Sequence, residues 1–353
     1  MKKFDSTKPV MVTGATGYVA GRLVERLLRE GLTVHAAVRD PDSPKKTASL
    51  RRVAKELPGT LRFFKADLLI DGSYRDAMEG CSTVFHTASP FFTQVQDPQR
   101  DLVDPALLGT RNILTTVNAV ESVERVVLTS SVAAIYCDNI DCASMPNGTM
   151  TEAVWNTGAS LAHNPYYYSK TLAEKEAWNL QKQQKRWDLV VINPSLVIGP
   201  GIDPFGTSES FDIMRQLGDG RLAMGAPDLQ VGTVDVRDVA EAHYQAAIRP
   251  EAEGRHIVSA ATLSILDMAA TLQKRYGKSY PFPTRILPKI LVWMAAPTAG
   301  LTRKFVTRNV GHPFRADNAK SRKALGLNYR SSESSVVEFF QQLVDSGQVK
   351  AKR

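Results

Sequence analysis

The stretch KPVMVTGATGYVAGRLVERLLREGLTVHAAVRD, residues 8–40, reads as strand, glycine turn, helix and strand. Val10, Met11 and Val12 are a short apolar run. A turn with Gly14 and Gly17 follows. Val19, Leu23, Leu27 and Leu28 then recur at helical spacing, and Gly31 stops the helix. Val34, Ala36 and Val38 continue as a second strand. The unit is βαβ, and its two strands are expected to lie parallel. A glycine turn between strand and helix suits a dinucleotide. Gly14 permits the tight turn, Gly17 lets the backbone approach a pyrophosphate, and the phosphate sits on the helix N-terminus.

The alternation continues outward. LRFFKADL, STVFHTAS and VERVVLTSS read as strands and WDLVVINPSLVIGP as strand and loop, with the helix GTRNILTTVNAV and a helix after Pro165 among them. Near-continuous apolar strands separated by helices imply a parallel sheet covered on both faces. The expected fold class is α/β, a Rossmann doubly wound parallel sheet flanked by helices, with a smaller C-terminal α/β lobe. Residues 1–200 are assigned to the dinucleotide-binding domain, with a returning segment near 229–260. Residues 201–353 are assigned mostly to a substrate-binding lobe.

The 353-residue chain is 43% hydrophobic and 23% charged, an ordinary balance for a globular enzyme. After residue 300 there are 11 Lys/Arg against 4 Asp/Glu. These cations are interleaved with apolar residues at helical spacing, so they read as a solvated face and not as a nucleic-acid tail. Cys81, Cys137 and Cys142 match no metal or redox spacing, and reduced thiols in a cytoplasmic protein are expected. The six histidines show no ligand spacing either, so no metal is expected. No signal peptide is read at the N-terminus. ILPKILVWMAAP, broken by Pro288, Lys289 and Pro297, is too short to span a bilayer and is expected to be a buried helix. No membrane and no nucleic-acid partner is expected, and the protein is expected as a monomer or homodimer.

HNPYYYSKTLAEKEAW, residues 163–178, carries the chemistry. Pro165 suits a first helical turn, and Leu172, Ala173, Ala177 and Leu180 keep helical spacing. Tyr166 and Lys170, four apart, share a face; Tyr168 points roughly opposite, and spacing alone leaves Tyr167 open. An ammonium beside a phenol stabilises the phenolate and lowers a pKa that is otherwise about 10. LTSSVAAIY ends a strand with Ser130 and Ser131, where an α/β sheet opens toward its ligand crevice. About twenty residues past the glycine turn, Arg39, with Lys45 and Lys46 nearby, suits a ribose 2′-phosphate, while Asp40 competes as a ribose ligand. His163 reads as a loop or cap residue.

Taken together, VTGATGYVAG, VRDP with KK, ADL, VFHTASPF, RVVLTSS, YYYSKTLAEKEAW, NPSLVIGP and VDVRDVAEAH resemble the extended short-chain dehydrogenase/reductase superfamily. Within it they look like the branch of dihydroflavonol reductase, cinnamoyl-CoA reductase and small aldehyde/ketone reductases. The resemblance implies NADPH/NADP+ and a small-molecule carbonyl substrate. It implies Ser131, Tyr166 and Lys170 as the catalytic set. For the cofactor it implies Gly14, Thr16, Gly17, Tyr18, Arg39, Lys46, Asp67, Leu68, Thr87, Ala88, Lys170, Pro194, Ser195 and Leu196. Alanine at position 20 replaces a glycine common in the branch. Ser89, Phe92 and Met224 are expected at the substrate.

Overall fold

The computed structural model describes residues 4–89 and 95–351. Phe92 therefore lies outside the described residues. The first unit runs β1 (Val10–Thr13), α1 (Tyr18–Arg29), β2 (Thr33–Val38), α2 (Pro44–Glu56) and β3 (Thr60–Lys65). Next come α3 (Arg75–Met78), β4 (Thr83–His86), α4 (Asp104–Ala119), β5 (Arg125–Thr129), α5 (Pro165–Lys182) and β6 (Asp188–Pro194). The chain then leaves through β7 (Leu196–Ile198), α6 (Glu209–Gly218) and β8 (Gln230–Asp235). It returns with α7 (Val236–Ile248) and β9 (Gly254–Val258). The last part holds β10 (Ala261–Ser264), α8 (Ile265–Tyr276), α9 (Lys289–Ala295), α10 (Arg303–Asn309), α11 (Ala319–Ala324) and α12 (Ser332–Asp345).

Seven strands form one parallel sheet in the order β3-β2-β1-β4-β5-β6-β9. Strand order reverses between β1 and β4, which opens a crevice at their carboxyl ends. Alternation explains the two-sided burial. Val10 and Val12 pack on one face with α1 and α7, whereas Met11 packs on the other with α3 and α4. Val190 and Ile192 against Leu189 and Val191 repeat the pattern in β6. The doubly wound expectation is met.

The stretch read as strand and loop after Trp187 carries two strands. β6 ends at Pro194, and β7 pairs with β8 in a separate sheet ordered β10-β8-β7. The core of this second lobe is aromatic, built on Phe211, Phe339 and Phe340. Tyr18, at the start of α1, reaches into it: its ring lies 5.2 Å from that of Phe211 and 5.8 Å from that of Phe339, and its hydroxyl donates to the Gly199 carbonyl.

One expectation is corrected. The helix in ILPKILVWMAAP is α9, and none of its residues is buried. Only Val292 and Trp293 pack, partly, against Ala296, Val306 and Val310. With seven residues, α9 offers one face to so small a core, and its other apolar side chains face outward.

Candidate active site

The glycine turn ends β1 and caps nothing with a side chain. Gly14 has φ +59°, the left-handed region where a side chain is strained, and a Cβ there would stand 3.1 Å from the Ala88 Cβ. The Thr13 hydroxyl accepts from the Thr87 and Ala88 amides at 3.0 and 2.9 Å, which holds the loop after β4 beneath the turn. Gly17, at the N-cap of α1, is exposed; α1 has no side-chain cap and no acid in its first turn. Its open N–H groups therefore suit an anion, so these residues fit a dinucleotide pyrophosphate. Thr16 lies half-buried in the same turn. The Tyr18 side chain serves the second lobe, so only its backbone faces this loop.

Arg39 follows β2 and is exposed, as is Lys46 in the first turn of α2. That helix also lacks a side-chain cap and a first-turn acid. Arg39, Lys45 and Lys46 therefore stand at one corner, with Asp40 beside them. Asp67, past β3, accepts from the Leu69 amide at 2.9 Å, and Leu68 packs partly against the core. Ser195 is buried between β6 and β7, its amide bonded to the Val258 carbonyl at 3.1 Å. Pro194 closes β6 and Leu196 opens β7.

α5 begins at Pro165, after Asn164 in the left-handed conformation at φ 54°. It delivers Tyr166 beside Ser131, which caps a short 3-10 turn after β5, so that the serine side chain bears on the phenol. Burial raises the phenol pKa above its ordinary value, the Glu209 carboxylate and Tyr167 raise it further, and Ser131 acts against them. The lowering expected from Lys170 is not what the chain alone produces. A neutral phenol follows, and that is the form that donates a proton. Tyr167 instead turns to Tyr136, hydroxyl to hydroxyl at 3.4 Å, so the geometry separates the two tyrosines that spacing left open.

Lys170 is 8% exposed; its Nζ lies 5.9 Å from the Tyr166 ring centroid and donates to Ser89 Oγ at 3.0 Å. Burial lowers its ammonium to about 8, against the pull of Glu174 one turn further along the helix. Glu174 itself is buried and surrounded by donors: Ser130 Oγ at 2.5 Å, Asn193 Nδ2 at 2.8 Å and Arg255 Nε at 2.6 Å. Ser130 thus belongs to the carboxylate and Ser131 to the phenol. Sequence reasoning missed Glu174 and Glu209. Spacing puts Glu174 four residues after Lys170, the one signal that was available.

The pH dependence follows in sign. Raising the pH through about 8 neutralises Lys170. Activity should be level below that pH and fall about tenfold per unit above it. In Glu174→Gln the carboxylate that favours the ammonium is gone, so the basic limb should move to lower pH by about one unit. An unmoved limb in a kcat/KM profile counts against this linkage.

Behind the site, Asp138 anchors the second lobe. Its Oδ2 accepts from His163 Nε2 at 2.7 Å and Arg308 Nε at 2.6 Å, and its Oδ1 from Asn309 Nδ2 at 2.7 Å. Cys137 adjoins this buried group, but burial pushes its thiol up to about 12 and the carboxylate is already filled with donors. His163 is therefore a buried hydrogen-bond partner of Asp138. Met224 is exposed, and its carbonyl accepts from Arg285 Nε at 2.9 Å; no contact places it against Tyr166 among the described residues.

Residues 10–260 match the model of the NAD dependent epimerase/dehydratase family. A cinnamoyl-CoA reductase of Medicago truncatula is 36% identical over 339 residues, covering 95% of each chain. An anthocyanidin reductase of Vitis vinifera is 35% identical over 286 residues, covering 78% of this chain and 83% of its own. The solved structure of the yeast methylglyoxal/isovaleraldehyde reductase Gre2 complexed with NADPH is 27% identical with a TM-score of 0.77, covering 97% of this chain and 100% of that one. The chain belongs to the NAD dependent epimerase/dehydratase family, among the extended short-chain dehydrogenase/reductases and in their reductase branch.

Proposed function

We propose that the protein is an NADPH-dependent reductase that converts an aldehyde or ketone to the alcohol. The observation that carries this is the grouping of the Tyr166 phenol, Ser131 at the carboxyl end of β5 and buried Lys170, in a chain whose glycine-loop helix is left uncapped. NADPH, when bound, supplies the hydride. Ser131 holds the carbonyl oxygen in place and Tyr166 protonates it as negative charge develops. Lys170 keeps positive charge near that oxygen. Gly14 and Gly17 receive the pyrophosphate, while Arg39 and Lys46 receive the 2′-phosphate. The reading includes a substrate-binding role for the C-terminal lobe and a cytoplasmic location, which three unpaired, buried cysteines support.

The test of activity is loss of the NADPH absorbance band with a panel of aryl aldehydes, diketones, flavanonols and acyl-CoA thioesters. Turnover of at least one class is expected. NADPH binding without turnover of any would remove the reading. Cofactor choice has its own check: Arg39→Ala should weaken NADPH by about tenfold to a hundredfold through loss of a charge-assisted contact, with NADH little changed. Equal losses would show that Arg39 does not read the phosphate.

A further inference from the structure

Residues 268–316 contain nine Lys/Arg and no Asp or Glu. Within this stretch the apolar side chains that find no core are gathered together. Ile286 is 51% exposed, Ile290 62% and Met294 54%, with Leu291 and Leu301 exposed beside them. A shallow groove of about 330 Å³ lies between Lys289, Ile290 and Trp293. The face is stiff: the Arg303 guanidinium covers the Trp293 ring at 4.4 Å, Lys289 Nζ donates to the Thr307 carbonyl at 2.9 Å, and Arg285 Nε donates to the Met224 carbonyl at 2.9 Å. Among the described residues, none of Arg285, Lys289, Arg303 and Lys304 makes an ion pair with a carboxylate.

We propose that this face, built on α9 and the turn into α10, docks on an anionic lipid surface, with Ile290, Leu291 and Met294 entering the interface and Arg285, Lys289, Arg303 and Lys304 meeting the headgroups. Apolar side chains framed by unpaired cations are the combination an anionic bilayer surface receives, and binding in the plane of the interface needs no spanning helix. The expectation of no membrane partner, drawn from the lack of a spanning segment, does not reach this case. Charge also decides against a second copy of the chain. An isologous dimer would set this cationic frame against itself, without a carboxylate in the segment to relieve it. The face adjoins the 222–226 loop, since Ala226 exchanges backbone hydrogen bonds with Arg285 and Leu287. A docked enzyme would thus rest on the lipid by the side of its C-terminal lobe.

The experiment is co-sedimentation of the full chain with phosphatidylcholine vesicles, with and without phosphatidylserine. Binding to the phosphatidylserine vesicles is expected, weak or absent on phosphatidylcholine alone, and reversed by high salt. Arg303→Glu with Lys304→Glu should lower vesicle affinity at least about tenfold. Ile290→Glu with Met294→Glu should abolish it, while reduction of a water-soluble carbonyl continues unchanged in both variants. No sedimentation of the wild-type chain, or binding indifferent to these substitutions, would overturn the proposal. A concentration-dependent dimer abolished by Ile290→Glu would also overturn it and give the face to a second copy. Turnover is measured separately from sedimentation, so failure here leaves the catalytic reading standing.

Discussion

Tyr166→Phe is expected to lower kcat by about three orders of magnitude while leaving NADPH affinity within about twofold of the wild type. The ring stays, so packing against Tyr167, 6.0 Å away between centroids, is kept and the helix is not disturbed. What disappears is the hydroxyl beside Ser131, the proposed proton donor. Stopped-flow turnover and fluorescence titration with NADPH separate the two quantities. Near-normal turnover would remove Tyr166 as the acid, and an equal loss in affinity would mean that the phenol holds cofactor instead. Tyr167→Phe is the matching control, since its hydroxyl faces Tyr136, and it should leave kcat nearly unchanged.

Arg255→Met is expected to destabilise the fold by about 3–5 kcal/mol near neutral pH, because it leaves the Glu174 carboxylate buried without its cation. Methionine keeps much of the volume, so the loss is electrostatic. The sign with pH distinguishes this from a packing defect. With its cation gone, the buried negative charge is relieved by taking up a proton, so the deficit shrinks as the pH falls. Urea melts of wild type and variant, at about pH 5 and again at about pH 8, measure the stability gap at both ends. A gap that stays constant between the two rejects the account.

The parts of the site that sequence displays best are local. Gly14, Gly17 and the helix after them lie within a short stretch, and tight turns restrict residue type strongly. Tyr166 and Lys170 are one turn apart on one helix. The resemblance carried the rest of the assignment, including Ser131. The electrostatic support of the site is not local. Glu174 reads in the sequence as one more charge on an amphipathic helix, and Arg255, its partner, arrives 81 residues later on β9. Nothing short-range announces that the two will meet in a dry interior. Glu209 is similar. Its side chain is reached by solvent, yet the surrounding walls raise its own carboxyl pKa and it bears on the phenol. The α9 segment fails in the other direction. Apolar composition predicts burial, but whether a core stands nearby to receive seven residues depends on the tertiary arrangement.

Tyr18 follows the second glycine of the phosphate turn by one position, and its ring is wedged among the aromatics of the other lobe. The glycine turn and the aromatic core of the second lobe are thus tied together through one side chain, so a loosened ring at Tyr18 would be felt on both sides of it.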